Sequence, residues 1–420
     1  MNETILTDPQ AQKLNKLLHY LNTFSPYYQR IIQEAGLDLQ RPAGLSDLRR
    51  LPFTTKDDLA RHNDAFLCVP KSAVVDYVTT SGTLSDPVAF YLTDSDIERL
   101  ADNEAESFRC AGGGSEDVYQ LMTTIDKRFM AGLAYWMGAR RLGAGMVRVG
   151  PGAPFLQWES ISRFSPTVLI AIPSFIPKLI AYAEANGIDY RNSSVRSIIC
   201  IGEPIRQSNF ELNELGKRIV GKWDLQLYST YASTEMGAAF TECKYGKGGH
   251  LNPELLILEM VDEQGNQVAD GELGEVVIST LGVEGMPLLR YRTGDLCHYH
   301  AQPCDCGRPG PRLGPVVGRK QQMIKFKGTT IFPPALFDVL DMIKEIDMYQ
   351  VVVAKDEFQN DLVTILLPMD LESKDFRNML LSLFKSRLRV TPYLSFITTD
   401  ELSFRLYKHE KRKPEKLIYI

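Results

Sequence analysis

Thr80, Ser81 and Thr83 set three hydroxyls around Gly82 in the run Thr79-Thr80-Ser81-Gly82-Thr83-Leu84-Ser85-Asp86-Pro87, between the β-rich runs 74–78 and 88–92. Gly82 can take backbone angles that turn successive N–H groups inward around an anion. The hydroxyls add donors for phosphate oxygens. The run has no Gly-Lys-Ser/Thr and no helix pattern after it, so it is not a Walker loop. Taken alone it also reads as a polar hairpin turn. A second set is Cys243, His250, Cys304 and Cys306, with Gly246, Gly248, Gly249 and Gly307 beside them. Three thiols and an imidazole suit tetrahedral zinc. The spacing is not that of a standard finger, and unpaired loop thiols are the alternative. Cys297, His298 and His300 are substitute donors, while Cys68, Cys110 and Cys200 lie in apolar patterns that suit a core.

The elements that must position these residues follow from periodicity. Residues 8–36 read as helices, with Leu14, Leu17, Leu18 and Leu21 at helical spacing. Thr54 or Thr55 is the expected cap of a short helix, and Asp94 or Ser95 that of a helix over 94–111. Strand and helix then alternate through 119–230, which predicts a layered α/β sheet with ligands beyond the carboxyl ends of its strands. Gly202-Glu203-Pro204 follows the strand ending at Ile201, and Tyr231-Ala232-Ser233-Thr234-Glu235 follows the strand 225–228. Residues 254–261, 274–280 and 288–291 read as strands of a β-rich subdomain, about 240–317, carrying Arg290-Tyr291-Arg292-Thr293-Gly294-Asp295-Leu296. Residues 318–420 read as a small separate α+β domain ending in the basic stretch 408–416, so the expected domains are 1–317 and 318–420.

A chain of 420 residues, 44% hydrophobic and 24% charged, suits a globular protein with two or three domains. Net charge is −5 with no long basic run, which makes nucleic acid a poor partner. Residues 1–15 are polar and do not resemble a signal peptide, and no apolar run approaches the ~20 residues of a membrane span. Seven scattered cysteines point to a reducing, cytoplasmic setting.

These motifs in this order resemble the adenylate-forming superfamily of acyl-CoA synthetases, luciferases and peptide-synthetase adenylation domains, and within it the phenylacetate–CoA ligase family. The resemblance implies a large N-terminal adenylation domain and a small mobile C-terminal domain. It makes Ser81-Gly82-Thr83 the phosphate loop, Gly202-Glu203-Pro204 an adenine-contacting segment, and Tyr231–Glu235 the motif whose Glu235 helps hold magnesium. It makes Asp295 the ribose ligand and Gly318-Arg319 the start of a hinge, with Arg319 able to reach nucleotide oxygens as a rigid fork. Lys413 is the implied catalytic lysine, with Lys416 and Lys411 beside it and Arg412 where the family carries glycine. The similar Cys/His set of relatives favours structural zinc at Cys243, His250, Cys304 and Cys306. The implied activity joins a carboxylic acid to coenzyme A through an acyl-AMP, using ATP and magnesium, and a homodimer is a family-level expectation. Two alternatives remain open at this point: transfer to a carrier protein or cofactor, and a catalytically impaired nucleotide- or CoA-binding homologue.

The sequence departs from that family in three places. Leu84-Ser85-Asp86 replaces Thr-Gly-Lys before Pro87, so a lysine is lost and an acid gained. Gln321 and Gln322 stand where relatives often carry hinge aspartates. Asp126-Lys127-Arg128 stands where the phenylacetate enzymes have an apolar, Gly-containing run near the aryl pocket. Unpaired charge is costly to bury, so these residues either face solvent or meet a polar or anionic acid, which predicts a carboxylate more polar than phenylacetate. Phe129, Met130, Tyr135 and Trp136, with Ile172-Pro173-Ser174, are candidate pocket walls or core.

Overall fold

The computed structural model describes residues 6–80, 87–326, 329–357, 361–407 and 414–420. The chain divides into two compact units, Met1–Glu211 with Ile219–Val316, and Leu212–Arg218 with Val317–Ile420. Chain order alone had placed all of 1–317 in one body. Leu212–Arg218 fall in the second unit because the Glu214 main-chain N–H donates to Asp338 at 3.0 Å, a bond spanning 124 positions.

The first unit opens with helices α1 (Asp8–Phe24), α2 (Pro26–Glu34), α3 (Leu45–Leu48) and α4 (Lys56–His62). Thr7 and Gln10 form a reciprocal capping box on α1, and the buried Leu14, Leu17, Leu18 and Leu21 form its inner face. Thr55 caps α4 through Asp58. Its neighbour Thr54 is buried and donates to the Leu289 carbonyl at 2.7 Å. A hairpin of β1 (Asp76–Thr79) and β2 (Ala89–Leu92) leads to α5 (Asp94–Cys110). The α5 cap is Thr93, not Asp94 or Ser95: Asp96 stands three residues after Thr93 and closes the box.

The alternating segment supplies β3 (Val118–Leu121), α6 (Met130–Leu142), β4 (Gly145–Arg148), α7 (Pro154–Phe164), β5 (Val168–Ala171), α8 (Ile176–Ala185) and β6 (Ser197–Ile201). Gly143 ends α6 in the left-handed conformation at φ 84°, a turn that a β-carbon would strain. The strands that follow are β7 (Gln226–Ser233), β8 (Ala238–Glu242), β9 (Gly249–His250), β10 (Leu256–Val261), β11 (Leu273–Thr280), β12 (Tyr291–His300) and β13 (Arg312–Leu313). One hydrogen-bonded path runs β10-β11-β12-β13-β9-β8-β7-β6-β5-β3-β4. Pairing is parallel from β4 through β3, β5 and β6 to β7, and antiparallel from β7 through β8 and β9 to the β-rich segment. That segment is therefore joined edge to edge with the parallel strands.

The expected strand at 288–291 is displaced. Arg290 sits at φ 46° and turns its guanidinium inward onto Glu259, so the strand starts at Tyr291 and runs through the motif. On the α5/α6 face of the parallel strands, Phe108 stacks on Tyr119 at 4.6 Å between centroids, within a core holding Leu121, Ile170 and Ile199. Burying each such side chain contributes about 1.5–3 kcal/mol.

The second unit packs helices Pro333–Asp341 and Lys374–Leu388 on a sheet ordered Tyr393–Ile397, Asp361–Pro368, Gln350–Lys355, Leu417–Tyr419. Its core includes Leu336, Leu340, Val351, Ile365, Leu380 and Phe384. Among the described residues no helix is long and apolar enough to cross a membrane.

Candidate active site and metal centre

The site assembles where the parallel strands end. At the foot of the hydroxyl-rich run, the Thr80 N–H donates to the Val88 carbonyl at 3.0 Å and the Thr80 hydroxyl accepts from the Val88 N–H at 3.0 Å. Thr80 is thus buried as a staple across the loop base. Ser81, Gly82, Thr83, Leu84, Ser85 and Asp86 lie outside the described residues. One residue before the staple, the Thr79 N–H donates to the Arg128 carbonyl at 3.1 Å, which ties the β3–α6 turn to the same place. That turn holds Lys127 at φ 57° and Arg128 at φ 58°. Two successive non-glycine residues in the left-handed region cost about 1–3 kcal/mol each, and such strain concentrates at functional sites.

After β6, Gly202 turns the chain at φ 73°. The Glu203 carboxylate accepts from both the Ser174 N–H and the Ser174 hydroxyl, each at 3.0 Å. Its side chain therefore bridges the loops after β5 and β6. The Ser174 partnership was not visible in the sequence, because it joins residues 29 positions apart.

The strand β7 extends into the next motif, so Tyr231, Ala232 and Ser233 are strand and Thr234–Gly237 turn out of it. Tyr231 donates its hydroxyl to Asp295 Oδ2 at 2.9 Å. Tyr291 donates its hydroxyl to Glu235 Oε1 at 3.2 Å. The two motifs are thus laced by two Tyr–carboxylate bonds running in opposite directions. Burial, with the Asp295 charge next, pushes the Tyr231 hydroxyl well above its usual range, so it remains a donor. Asp295 is buried at the Gly294 bulge, where φ is 76°, and its N–H is held by the Thr293 hydroxyl at 3.1 Å.

The two arginines flanking Tyr291 are structural. Arg290 forks onto Glu259 with both contacts at 3.1 Å, and Arg292 reaches Glu275 at 2.6 Å. The Phe53 ring lies under both guanidinium groups, at 4.1 and 4.8 Å.

Cys243, His250, Cys304 and Cys306 converge, with ligand atoms all within 4.8 Å of one another. The Cys243 and Cys304 sulfurs are 3.7 Å apart, and the Cys306 sulfur is 3.5 Å from His250 Nε2. A tetrahedral zinc with Zn–S near 2.3 Å and Zn–N near 2.05 Å has S–S edges of about 3.8 Å and S–N edges of about 3.5 Å. The donor set fits such an ion in kind and in spacing. Burial, then Arg308 and Arg312, hold His250 down at about 4, so its imidazole is neutral as a ligand requires. All seven cysteines are free thiols. Cys297, buried in β12, and His298 and His300 are not in this set. Cys110 packs against the cluster but donates its thiol to the Thr241 carbonyl at 3.3 Å.

A feature the sequence reading missed links this cluster to the Gly202 segment. The Arg206 Nε contacts both Glu242 oxygens, at 3.0 and 2.8 Å, and Glu242 precedes Cys243. A β-carbon at Gly246, where φ is 60°, would sit 2.4 Å from the Arg206 guanidinium, so a larger residue in this loop would have to push that side chain aside.

In the second unit, Arg319 opens a short 3-10 turn over Lys320–Gln322. Lys413 and Lys411 lie outside the described residues. Lys416 is engaged within its own unit: it donates to the Tyr349 hydroxyl at 2.9 Å and lies 4.5 Å above that ring.

The family profile described as AMP-binding enzyme matches residues 44–285. The phenylacetate–coenzyme A ligase of Thermus thermophilus is 30% identical over 83% of this chain and 78% of its own length. That of Escherichia coli K12 is 32% identical over 78% of this chain and 74% of its own length. The chain belongs to the phenylacetate–CoA ligase family of adenylate-forming enzymes. The fold is shared with a 2-hydroxyisobutyryl-CoA ligase solved in its postadenylation state, at a TM-score of 0.83 and 21% identity, covering 98% of this chain and 89% of that one.

Proposed function

We propose that the protein is an AMP-forming acid–CoA ligase acting on a carboxylic acid that is aryl-acetate-like or more polar. The observation that carries this reading is the lacing of Tyr231 to Asp295 and Tyr291 to Glu235 at the ligand edge of the sheet. It ties a carboxylate of each motif to a tyrosine of the other. Asp295, buried and bonded to the Tyr231 hydroxyl, is assigned to the ribose hydroxyls. Glu235, half-buried, offers the hard oxygen that magnesium prefers.

In the first half-reaction, an oxygen of the acid bonds to the α-phosphorus of ATP while the bond to pyrophosphate breaks. The approach of two anions is the main barrier, and fixed donors and cations at the site lower it. Magnesium, when bound with ATP, supplies part of that neutralisation. Backbone groups of Gly202–Pro204 and Tyr231–Thr234 position the adenine and phosphates. In the second half-reaction, the CoA sulfur attacks the acyl carbon, the thiol proton leaves to solvent, and AMP departs.

Lys413 is assigned to the acid carboxylate and α-phosphate, and Arg319 to nucleotide oxygens. Rotation of the small unit about the region 317–323 would exchange the two half-reactions. Cys243, His250, Cys304 and Cys306 would hold a structural zinc; a closed set of four leaves no open position for chemistry. Seven free thiols suit a reducing compartment such as the cytoplasm.

Carboxylate-dependent ATP–pyrophosphate exchange without CoA, run on a panel of aryl, alkyl and polar acids, tests the adenylation step. CoA-dependent AMP release then tests the acceptor. No exchange with any acid, beside ordinary ATP binding, would favour an impaired nucleotide-binding homologue.

A further inference from the structure

A triphosphate needs positive charge, and the run Thr79–Pro87 supplies none: it contains an acid, Asp86, and no lysine or arginine. Four buried or half-buried arginines of the first unit are committed elsewhere. Arg99 donates to the carbonyls of Leu281, Gly237 and Leu255. Arg206 is spent on Glu242, Arg290 on Glu259 and Arg292 on Glu275. Lys127 and Arg128 differ from all of these. Both are exposed, and neither side chain makes an ion pair or hydrogen bond with a described residue. Their neighbour Asp126 is engaged by the Thr124 hydroxyl.

Their placement is built. The Arg128 carbonyl receives the Thr79 N–H, the last strand position before the Thr80 staple. The successive left-handed angles hold this turn in a shape that lysine and arginine do not favour. Behind it, Gly132 packs so closely that a β-carbon there would lie 2.2 Å from the Thr124 carbonyl, which fixes the turn against α6.

We propose that Lys127 and Arg128 bind the β- and γ-phosphates of ATP, and the pyrophosphate that leaves, in place of the basic residue missing from the run 79–87. As the bond from the α-phosphorus to the bridging oxygen breaks, its electron pair departs on pyrophosphate, and these two cations meet the charge that develops. The inference rests on the ligase reading above. The same cations could instead meet a second anionic group on the acid substrate, and the experiment separates the two sources.

Lys127→Ala, Arg128→Ala and the double variant are compared with wild type in two measurements. Equilibrium titration with ATP and with AMP needs no turnover: wild type should prefer ATP, and the double variant should lose at least tenfold of that preference while AMP affinity changes less than twofold. In exchange assays the KM for ATP and for pyrophosphate should rise at least tenfold with the acid KM unchanged. Lys127→Arg should restore most of the single loss. A rise confined to the acid KM, or an unchanged ATP preference, overturns the proposal while leaving the ligase reading intact. A wild type that binds neither nucleotide overturns the ligase reading, and this assignment with it. Circular dichroism of the variants should match wild type, since both side chains are exposed.

Discussion

Tyr231 and Asp295 stand 64 residues apart in the chain and 2.9 Å apart in space, hydroxyl to carboxylate. The bond crosses from β7 to β12, so the two strand ends orient each other's side chains. Asp295 is buried, and a carboxylate in that position accepts whatever donors are fixed around it. Tyr231→Phe removes one of them without changing shape. A hydrogen bond to a charged group contributes about 1.5–3 kcal/mol. The KM for ATP should rise about tenfold, with the acid KM unchanged in the exchange assay. Asp295→Asn, which removes the charge proposed to receive the ribose, should cost more than Tyr231→Phe. A smaller loss would place the ribose elsewhere.

The reciprocal pair gives a different expectation. Glu235 accepts from Tyr291 at 3.2 Å, and Tyr291 is almost fully buried. Glu235→Gln keeps an acceptor for Tyr291 and so should leave thermal stability within about 1 kcal/mol. The exchange rate should nevertheless fall about a hundredfold at physiological magnesium, with partial recovery as magnesium is raised. Equal loss at all magnesium concentrations would remove Glu235 from the metal's neighbourhood.

Much of this was legible in residue types alone. The Cys/His set that converges in space stands out by residue type, and the alternation of strand and helix through 119–230 yields the parallel strands. What was illegible depends on partners distant in sequence. Nothing in the sequence marks Glu259 and Glu275, which hold Arg290 and Arg292. Glu203 looks free until Ser174 arrives from the neighbouring strand end. The α5 cap was misplaced by one or two residues because Asp94 and Ser95 are as good in type as Thr93, and only the Asp96 reach-back chooses between them. The displaced strand at 288–290 follows from Arg290 turning inward, a tertiary choice that outweighs the β propensity of the leucines.

The proposed zinc site predicts a contrast between two neighbouring cysteines. Cys304→Ala removes a donor from the set of four, whereas Cys110→Ala removes a thiol that only touches it. Purified wild type should carry about one zinc per chain by elemental analysis. Cys110→Ala should keep it, and Cys304→Ala should lose most of it and melt several degrees lower. Zinc retained by Cys304→Ala would show that the four residues are not a ligand set.

The Arg206–Glu242 pair joins the Gly202 turn to the strand leading into that cluster, with the two side chains 15% and 3% exposed. Removing one partner of a buried pair strands the other charge, at a cost of about 3–5 kcal/mol. Arg206→Met and Glu242→Gln should each destabilise the protein in urea, and the double variant should be less destabilised than the sum. The same single variants should raise the KM for ATP, because the turn they anchor carries Gly202–Pro204. Additive losses would mean the two side chains act independently.

Glu104 gives the pH prediction. It lies on α5 against α6, packed so tightly that a β-carbon on Gly138 would sit 2.4 Å from its own β-carbon. One carboxyl oxygen accepts from the Asn103 amide at 3.0 Å, and the other has no partner among the described residues. Burial pushes this carboxyl up to about 8, opposed only by the Asn103 bond. In the unfolded chain it titrates near 4.3. Below that value both states are protonated, and the folded protein has its full stability. Between about 4.3 and 8 the unfolded chain has released a proton that the folded one retains, so stability falls steadily as pH rises. Above 8 both are ionised and the loss levels off. The total is on the order of a few kcal/mol. Glu104→Gln removes the titration and keeps the shape, so its stability relative to wild type should improve from pH 5 to pH 8 and then plateau. Urea denaturation of both proteins across that range reads the difference directly. A constant difference would mean that Glu104 is ionised in the folded protein and has found a partner for its second oxygen.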